Sequence, residues 1–334
     1  MKRKIISILV SAAIVSLLWW RIDLQEIVQV LKAVDVAWLL VSLAMFVPIL
    51  LGTAWRLYYL VRRKTVDIRL RDALSLTLAA GVMNLVLPSK MGDIAKGVFL
   101  KNHGAMGGSA ALSLVVLEKA NDVLALLLWC VVGLIVLAGT GHGWGWLAVM
   151  LLLALAGSWL LVFSRRFAAG CFQAAGRVLP AAASRPIESL GGAWMEMHEY
   201  VDAGTRIRLL VFSTVLWLAH LLQIWLFILA LQVDNVGFVI SLGLTALALF
   251  VGLLPFTFMG VGTRDAALVY LYAPYFPAAT GAALGVLTLF RYILPAIAGI
   301  PIFSRYLTAV RQAGDIRGPG PPEKNNSGAS SIRQ

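Results

Sequence analysis

Long apolar segments recur along the whole chain, each close to the length that a helix needs to cross a lipid bilayer. A transmembrane helix takes about 20 mainly apolar residues. Six continuous runs of this kind cover residues 5–20, 36–61, 109–139, 144–163, 209–232 and 279–304. The core of a soluble protein of 334 residues could not enclose so many apolar helices. We therefore predict an all-α polytopic membrane protein with about six full transmembrane helices.

The charged residues predict how these helices are oriented. Hydrophobic residues make up 60% of the chain and charged residues 13%, against about 25% charged residues in a typical soluble domain. The net charge is +12, but 20 of the 28 Lys and Arg fall in loops on one predicted side, and only Arg21 and Lys32 fall on the other. Basic residues collect in cytoplasmic loops. This distribution predicts a multi-pass protein of the cell inner (cytoplasmic) membrane with both termini cytoplasmic, and it argues against nucleic-acid binding.

Two apolar segments are interrupted by Pro and Gly and do not fit simple spans. They cover 72–100 and 237–276, and their prolines, Pro88 and Pro255, are 167 residues apart. Irregular backbone at membrane depth is tolerated where it is buried in protein or lines a wet cavity. Paired interruptions in corresponding halves point to a transporter-type binding site. We predict two broken, re-entrant hairpins in an inverted arrangement; two unrelated Pro-kinked helices are the alternative.

The remaining polar regions set the domain boundaries. A membrane domain is predicted over 1–310, and it includes a cytoplasmic amphipathic segment at 164–207 in which Arg and Glu are mixed. Residues 311–334 form a stretch rich in Gly, Pro, Asn and Ser. A segment of this composition cannot bury enough apolar surface to fold. We expect this stretch to be a disordered cytoplasmic tail.

Charged residues inside the apolar segments are the candidates for function. Each costs several kcal/mol at membrane depth, so it needs a partner or a role. Glu118, Asn121 and Asp122 share one helix face inside the run 109–139. With the two breaks they predict a polar cavity in which half-helix N-termini and basic side chains hold an anion such as phosphate. The predicted substrate-binding residues are Lys90, Gly92, Asp93, Lys96, Glu118, Asp122, Gly260, Gly262, Arg264 and Asp265.

Other interpretations of these charges and motifs stay open at this point. The charges could form a salt-bridge lattice that only holds helices together. Arg56 and Arg291 are weaker candidates for the site, because arginines near helix ends often extend to the membrane–water interface. The four His and two Cys lack ligand spacing, and no phosphate-binding loop or nucleophile motif occurs. We expect no metal, no cofactor, no ATPase and no enzymatic activity.

Three short motifs in order along the chain resemble a known family. They are Asn84-x-x-x-Pro88-x-x-x-Gly92-Asp93-x-x-Lys96, Glu118-Lys119-x-x-Asp122 and Gly260-x-Gly262-x-Arg264-Asp265. This pattern is similar to the flippase-like membrane domain of lysylphosphatidylglycerol synthases, and the resemblance covers roughly residues 5–305. It implies a domain that moves an anionic phospholipid or a polyprenyl-linked lipid between leaflets.

The chain departs from the family pattern in three respects. The resemblance implies Arg at the positions of Lys96 and Lys119, and Glu at the position of Asp265. The soluble aminoacyl-transfer domain of the full synthases is not expected after Arg311, so lipid aminoacylation is not expected either. Two other functions fit the sequence: a membrane enzyme acting on a lipid-linked substrate, and a non-catalytic partner of a lipid-modifying or glycolipid-synthesising enzyme.

Overall fold

All secondary-structure elements in the described part of this computed structural model are helices. The described residues are 23–63, 67–86, 92–93, 96–97, 100, 108–138, 145–178, 181–253 and 260–315. The helices are α1 (Leu24–Lys32), α2 (Val36–Ala44), α3 (Phe46–Arg62), α4 (Leu70–Val86), α5 (Gly108–Ala138), α6 (Gly145–Phe163), α7 (Arg165–Val178), α8 (Ala181–Tyr200), α9 (Ala203–Ala230), α10 (Phe238–Gly252), α11 (Thr263–Leu271), α12 (Ala278–Thr288) and α13 (Phe290–Asp315). Between α4 and α5, residues 92–93, 96–97 and 100 are helical, and we call them the return segment.

Several of these helices are long and apolar enough to span a membrane. Within the described residues there are five such stretches: Val36–Arg62, Ala110–Ala138, Gly145–Phe163, Ala203–Ala230 and Ala278–Phe303. They match five of the six predicted spans, although the span predicted at 209–232 begins earlier, at Ala203. The sixth predicted span, 5–20, lies outside the described residues. The predicted all-α polytopic membrane fold is confirmed.

The first and last of these stretches each consist of two helices. α2 ends at Ala44, whose carbonyl cannot receive the usual helical bond from Pro48, because proline has no N–H and its ring crowds that carbonyl. At the junction of α12 and α13, the Leu289 amide donates to Val286 at 3.0 Å, one residue short of the regular α-helical partner, Gly285. The carbonyl of Gly285 instead accepts from Nη2 of Arg264 at 3.1 Å.

Apolar side chains lie on the surface and charged side chains lie in the interior, which is the reverse of their distribution in a soluble protein. Along α6, Trp146, Met150 and Leu153 are 61%, 61% and 67% exposed. In the interior, Arg56 and Glu118 are each only 2% exposed. An apolar surface suits contact with lipid chains, whereas a charge that faced those chains would cost several kcal/mol. The charges of the spans therefore face the interior of the bundle.

The two ends of the helical bundle differ in charge. At one end, the basic end, α3 finishes at Arg62 and α9 starts beside it, since Arg208 donates to the Tyr59 hydroxyl at 3.4 Å. At the other end, the opposite end, α2 starts and α9 finishes, because the Asp35 amide donates to the Ala230 carbonyl at 2.8 Å. The α2–α3 stretch and α9 therefore run antiparallel.

The second broken segment is a hairpin that returns to the opposite end, where it starts. α10 has 15 residues, about 22 Å, and α11 has 9 residues, about 13 Å, so neither helix crosses about 30 Å of hydrocarbon. Asn235, before α10, donates to the carbonyl of Tyr275, after α11, at 2.7 Å. The Tyr272 hydroxyl, just after α11, donates to the Ser241 carbonyl in the first turn of α10 at 3.2 Å. The two arms are therefore antiparallel.

The first broken segment also turns back beside its own first arm. A Cβ on Gly92 would lie 2.5 Å from the carbonyl oxygen of Ala80, so the return segment packs tightly on α4. Leu100 shares a buried cluster with Ala73, near the start of α4, and with the last residues of α3 at the basic end. Residues 87–91 lie outside the described residues. The hairpins therefore enter the bundle from opposite ends, as the inverted arrangement predicts.

An equivalent helix crossing occurs in each half of the molecule. α10 crosses α5 where a Cβ on Gly243 would lie 2.5 Å from the Cα of Gly133. α4 crosses α13 where Gly299 lies against the backbone of Leu78. Gly299 follows Gly133 by 166 residues and Gly243 follows Leu78 by 165 residues, close to the spacing of the two hairpin prolines. Small residues allow such close approach of membrane helices, and the matching offsets support an internal repeat.

Two helices outside the spans occupy most of the predicted amphipathic segment 164–207. α8 packs against the basic end of the bundle, where the Trp194 indole donates to the Leu161 carbonyl at 3.0 Å. α7 is joined to α8 by the exposed ion pair between Arg165 and Glu199, at 2.7 Å. At the C-terminus, α13 continues to Asp315, beyond the predicted start of the tail at 311, and residues 316–334 lie outside the described residues.

Candidate functional site

Arg56, in the middle of α3, binds two carboxylates of α5. Its Nη2 donates to Glu118 Oε1 at 3.0 Å and to Asp122 Oδ2 at 3.2 Å. Its Nη1 donates to the other Asp122 oxygen and, at 2.8 Å, to the hydroxyl of Ser213 on α9. Glu118 and Asp122 are one turn apart, so they present both carboxylates on one face of α5. A single guanidinium thus connects three membrane-spanning helices.

Two lysines close this arrangement into a ring. Lys96 Nζ, from the return segment, lies 3.0 Å from Asp93 Oδ1 and 3.1 Å from Glu118 Oε1. Lys119 Nζ lies 2.8 Å from Asp93 Oδ2 and 3.3 Å from Asp122 Oδ2. Positive and negative charges alternate around the circuit. We call it the ionic ring, and its members in order are Arg56, Glu118, Lys96, Asp93, Lys119 and Asp122.

The ionic ring carries no net charge, since three cations alternate with three carboxylates. Each lysine bridges two different carboxylates, which the three donors of an ammonium group can do without a planar fork. The lysines at these two positions, where the family resemblance implies arginine, are therefore compatible with a complete network. In a buried network of this kind, removing one partner is expensive because it leaves an uncompensated charge.

A second charged group lies at the start of α11, apart from the ionic ring. The Nε of Arg264 donates to Asp265 Oδ1 at 2.8 Å, and its Nη2 donates to the Gly285 carbonyl at 3.1 Å. Asp265 also accepts from the amide of Gly262 at 3.0 Å, so it caps the helix while it holds the guanidinium. Arg264 is 1% exposed, and its Nη1 has no hydrogen-bond partner among the described residues.

The ionic ring and Arg264 line one cavity of about 210 Å³ in the interior of the bundle. Among the described residues, five cations and three carboxylates line it: Arg56, Lys96, Lys119, Arg264, Arg291, Asp93, Glu118 and Asp122. Apolar side chains of α3, α9 and α10, including Phe46, Leu216 and Leu249, form the rest of the lining together with parts of α4 and α13. Pockets for drug-sized ligands occupy about 300–1,000 Å³. The cavity is therefore suited to a head group rather than to a whole lipid.

The structure brings most of the predicted site residues to this cavity or next to it. The predicted residues that line it are Asp93, Lys96, Glu118, Asp122 and Arg264. The predicted residues that pack behind its walls are Gly92, Gly260, Gly262 and Asp265. Lys90 lies outside the described residues. Both broken segments and the polar face of α5 thus meet at one place, and substrate binding by these residues stays a prediction.

The glycines of the second break have a structural role. The amide of Gly262, predicted to hold an anion, donates to Asp265 instead. Gly260 and Gly262 have φ angles of +76° and +97°, which glycine adopts without strain. A Cβ on Gly260 would also lie 2.7 Å from the carbonyl oxygen of Gly252. These glycines therefore allow the tight turn and the close packing that bring Arg264 to the cavity.

Arg56 and Arg291 are more central to the site than the sequence indicates. They are weaker candidates from the sequence, because either could extend to an interface, but Arg56 is a buried member of the ionic ring and Arg291 lines the cavity. A charge count could have identified Arg56, because two carboxylates on one face of α5 require a cation. Arg291 is among the cations that the sequence offers to offset these carboxylates. It lies apart from the ionic ring, after the bend at Leu289, and the packing of α13 on α4 brings it to the cavity.

One protein family matches most of the chain. Residues 4–299 match the model for the lysylphosphatidylglycerol synthase TM region. No curated protein matches the chain closely enough to count as a relative. The family name implies the context of an anionic lipid, and the apolar helices agree with its description as a transmembrane region. This multi-pass membrane protein belongs to the lysylphosphatidylglycerol synthase TM region family.

Proposed function

We propose that this protein binds the head group of an anionic lipid in the cavity and moves the lipid between the two leaflets, without an enzymatic reaction of its own. The observation that carries the proposal is a buried, charge-lined cavity of about 210 Å³ at the meeting point of two hairpins from opposite ends. An anionic phospholipid or a polyprenyl-linked lipid has the chemistry that such a cavity would accept.

The energetics of lipid movement support this proposal. A charged head group is strongly disfavoured in hydrocarbon, and its passage through about 30 Å of hydrocarbon is correspondingly slow. Polar groups that are already fixed inside the protein replace part of the lost hydration. Arg56, Glu118 and Asp122 supply such groups at membrane depth. A head group in the cavity therefore meets a smaller barrier than one in the bilayer.

The small volume of the cavity also suits a lipid substrate. A lipid has one polar end to bind, while its acyl chains stay in hydrocarbon throughout. The apolar part of the lining, at residues such as Phe46 and Leu50, would contact the first carbons of those chains. This division of the lining favours an amphiphile over a fully hydrophilic solute.

We further propose that the protein lies in the inner membrane with its basic end in the cytoplasm. That end carries most of the exposed arginines of the described loops and surface helices, including Arg62, Arg165 and Arg208. Such residues collect on the cytoplasmic side of membrane proteins. The movement of lipid would follow a gradient or a downstream reaction, since the chain has no phosphate-binding loop for ATP hydrolysis.

A reconstituted transport assay tests the proposal. The purified protein is placed in phosphatidylcholine liposomes that contain a trace of fluorescent phosphatidylglycerol, and an impermeant quencher reports lipid that reaches the outer leaflet. We expect the wild type to move the labelled lipid and Glu118→Gln to slow the movement about tenfold or more, because loss of this charge disturbs Arg56 and Lys96. Glu199→Gln removes an exposed carboxylate at the basic end and serves as the matched control.

The outcomes of this assay separate the proposal from its alternatives. Wild-type protein that is folded and moves neither phosphatidylglycerol nor any other anionic lipid would contradict translocation and favour a role as partner of a lipid-modifying enzyme. Equal rates for wild type and for a folded Glu118→Gln variant would show that the lipid does not use this cavity. Equal rates for labelled phosphatidylglycerol and phosphatidylcholine would contradict the preference for an anionic head group.

A further inference from the structure

Arg291 lines the cavity at the start of α13, and its Nε and Nη1 have no hydrogen-bond partner among the described residues. Its Nε and Nη1 are shielded from solvent, so these two N–H groups are not compensated by water at the surface. A buried donor without a partner costs free energy, and a buried cation without a counterion costs considerably more. The position of Arg291 therefore calls for a physical reason.

Arg264 offers a further free donor on the same cavity. Asp265 and the Gly285 carbonyl hold its Nε and Nη2, and this leaves Nη1 as the free end of the guanidinium. Arg264 and Arg291 also lie close enough for their charges to repel each other. Both guanidinium groups line one cavity, and each has shielded N–H donors without a hydrogen-bond partner among the described residues. Guanidinium donors of this kind bind oxyanions.

The charges around the cavity show where an anion is missing. The ionic ring is neutral, and each of its cations is engaged by two carboxylates. In the second group, Asp265 pairs with Arg264, and no ion pair joins Arg291 to a carboxylate among the described residues. The unbalanced positive charge of the described site therefore lies at this pair. An incoming anion would gain there without first breaking the ionic ring.

We infer that Arg264 and Arg291 form the phosphate-binding subsite of the cavity, with the free Nη1 of Arg264 and the Nε and Nη1 of Arg291 as donors to phosphate oxygens. This inference rests on the proposed function only in identifying the phosphate as part of a lipid. A phosphodiester of a lipid head group and free inorganic phosphate share the required chemistry. The ionic ring then faces the remainder of the bound group rather than the phosphate.

Binding to purified protein in mild detergent tests the subsite with two probes. Native mass spectrometry measures retention of phosphatidylglycerol, and the change in melting temperature measures binding of inorganic phosphate. We expect Arg291→Gln to bind the phosphate probe about tenfold or more weakly, since a charge-assisted pair is lost. Arg291→Lys should retain part of the binding because it keeps the charge. Arg71→Gln, which removes an exposed arginine near the start of α4, is the matched control.

The melting temperature without any probe gives an independent readout. The Nε and Nη1 of Arg291 have no hydrogen-bond partner among the described residues, so Arg291→Gln should be at least as stable as wild type when phosphate and anionic lipid are absent. Response of the wild type to phosphatidylglycerol, and none to inorganic phosphate, identifies a lipid head group as the ligand. The reverse pattern identifies free phosphate. In both cases the subsite is supported when Arg291→Gln weakens that response.

Other results would overturn the subsite. They are equal binding of both probes by wild type and Arg291→Gln, no binding of either probe by wild type, and a marked loss of stability in probe-free Arg291→Gln. The transport assay, applied to the wild type and to Arg291→Gln, distinguishes this inference from the proposed function. If Arg291→Gln loses binding while the wild type moves no lipid, the subsite stands and translocation fails. If the wild type moves phosphatidylglycerol and Arg291→Gln moves it equally, translocation stands and the subsite is wrong.

Discussion

Arg56 illustrates what a charge at membrane depth needs in order to be stable. It contacts Glu118, Asp122 and Ser213, which belong to two other helices. None of these contacts is local in sequence, yet together they use most of the donors of the guanidinium. Its Nε is the part that has no hydrogen-bond partner among the described residues. The stability of this residue therefore depends on the correct packing of α3, α5 and α9.

Two cations of the ionic ring should differ sharply in their effect on stability. Arg56→Ala leaves buried carboxylates without their partner, and we expect a loss of about 3–5 kcal/mol in the free energy of unfolding. Lys119, whose side chain is 40% exposed, is screened by solvent, and Lys119→Met should cost less than about 1 kcal/mol. Melting temperatures of the two variants in the same detergent compare these effects. Similar losses for both would contradict the inference that burial sets the energetic weight of each cation.

At the scale of elements, the hairpins depend on helix crossings that only glycine permits. α10 meets α5 at Gly243 and Gly133, where the backbones are in direct contact. α11 then turns back at Gly260 and Gly262, whose positive φ angles shape the turn. Short helices of 15 and 9 residues gain their stability from such packing rather than from their own length. Loss of one crossing should therefore loosen a whole hairpin.

A pair of alanine substitutions tests the crossing. Gly243→Ala places a methyl group 2.5 Å from the Gly133 Cα, and we expect about 1–3 kcal/mol of destabilisation because α10 must move away from α5. Gly157→Ala on α6 meets no atom within 4 Å and should leave stability unchanged or slightly raised. Thermal unfolding of both variants is the measurement. A Gly243→Ala variant as stable as Gly157→Ala would contradict the close crossing.

At the scale of the whole molecule, the two ends of the bundle define its orientation. The basic end gathers the ends of α3 and α6, the start of α9 and the helices α7 and α8, whereas the second hairpin opens at the opposite end. The native cysteines report on this arrangement without any substitution. Cys171 lies exposed on α7, and Cys130 is buried inside α5.

Labelling of Cys171 tests the proposed orientation. An impermeant maleimide should react with the protein in inside-out membrane vesicles and not in intact spheroplasts, because α7 is expected on the cytoplasmic side. Cys171→Ser should abolish the labelling, since Cys130 is buried. Labelling of Cys171 from outside intact cells would reverse the proposed orientation of the protein in the membrane.

Much of the fold could be predicted from the sequence because the bilayer acts on local properties. Length and hydropathy located the spans, and five of the six coincide with described helices. Clustered Pro and Gly located the two breaks, since both residues weaken a helix. Single residues of this kind do not always end one, because α13 contains Pro295 and Pro301. Glu118 and Asp122 could also be recognised from the sequence, because they are charged residues within an apolar segment. The predicted membrane fold followed from these signals.

Only the tertiary structure decided which charges meet. Arg56 and Glu118 are 62 residues apart, and Arg264 and Gly285 are 21 residues apart, so no local pattern joins them. The neutrality of the ionic ring and the unbalanced charge at Arg291 are properties of that pairing. Hydrophobicity determines which segments enter the membrane and is read from the sequence residue by residue. The cavity arises where helices from both halves pack together, and that packing exists only in the folded chain.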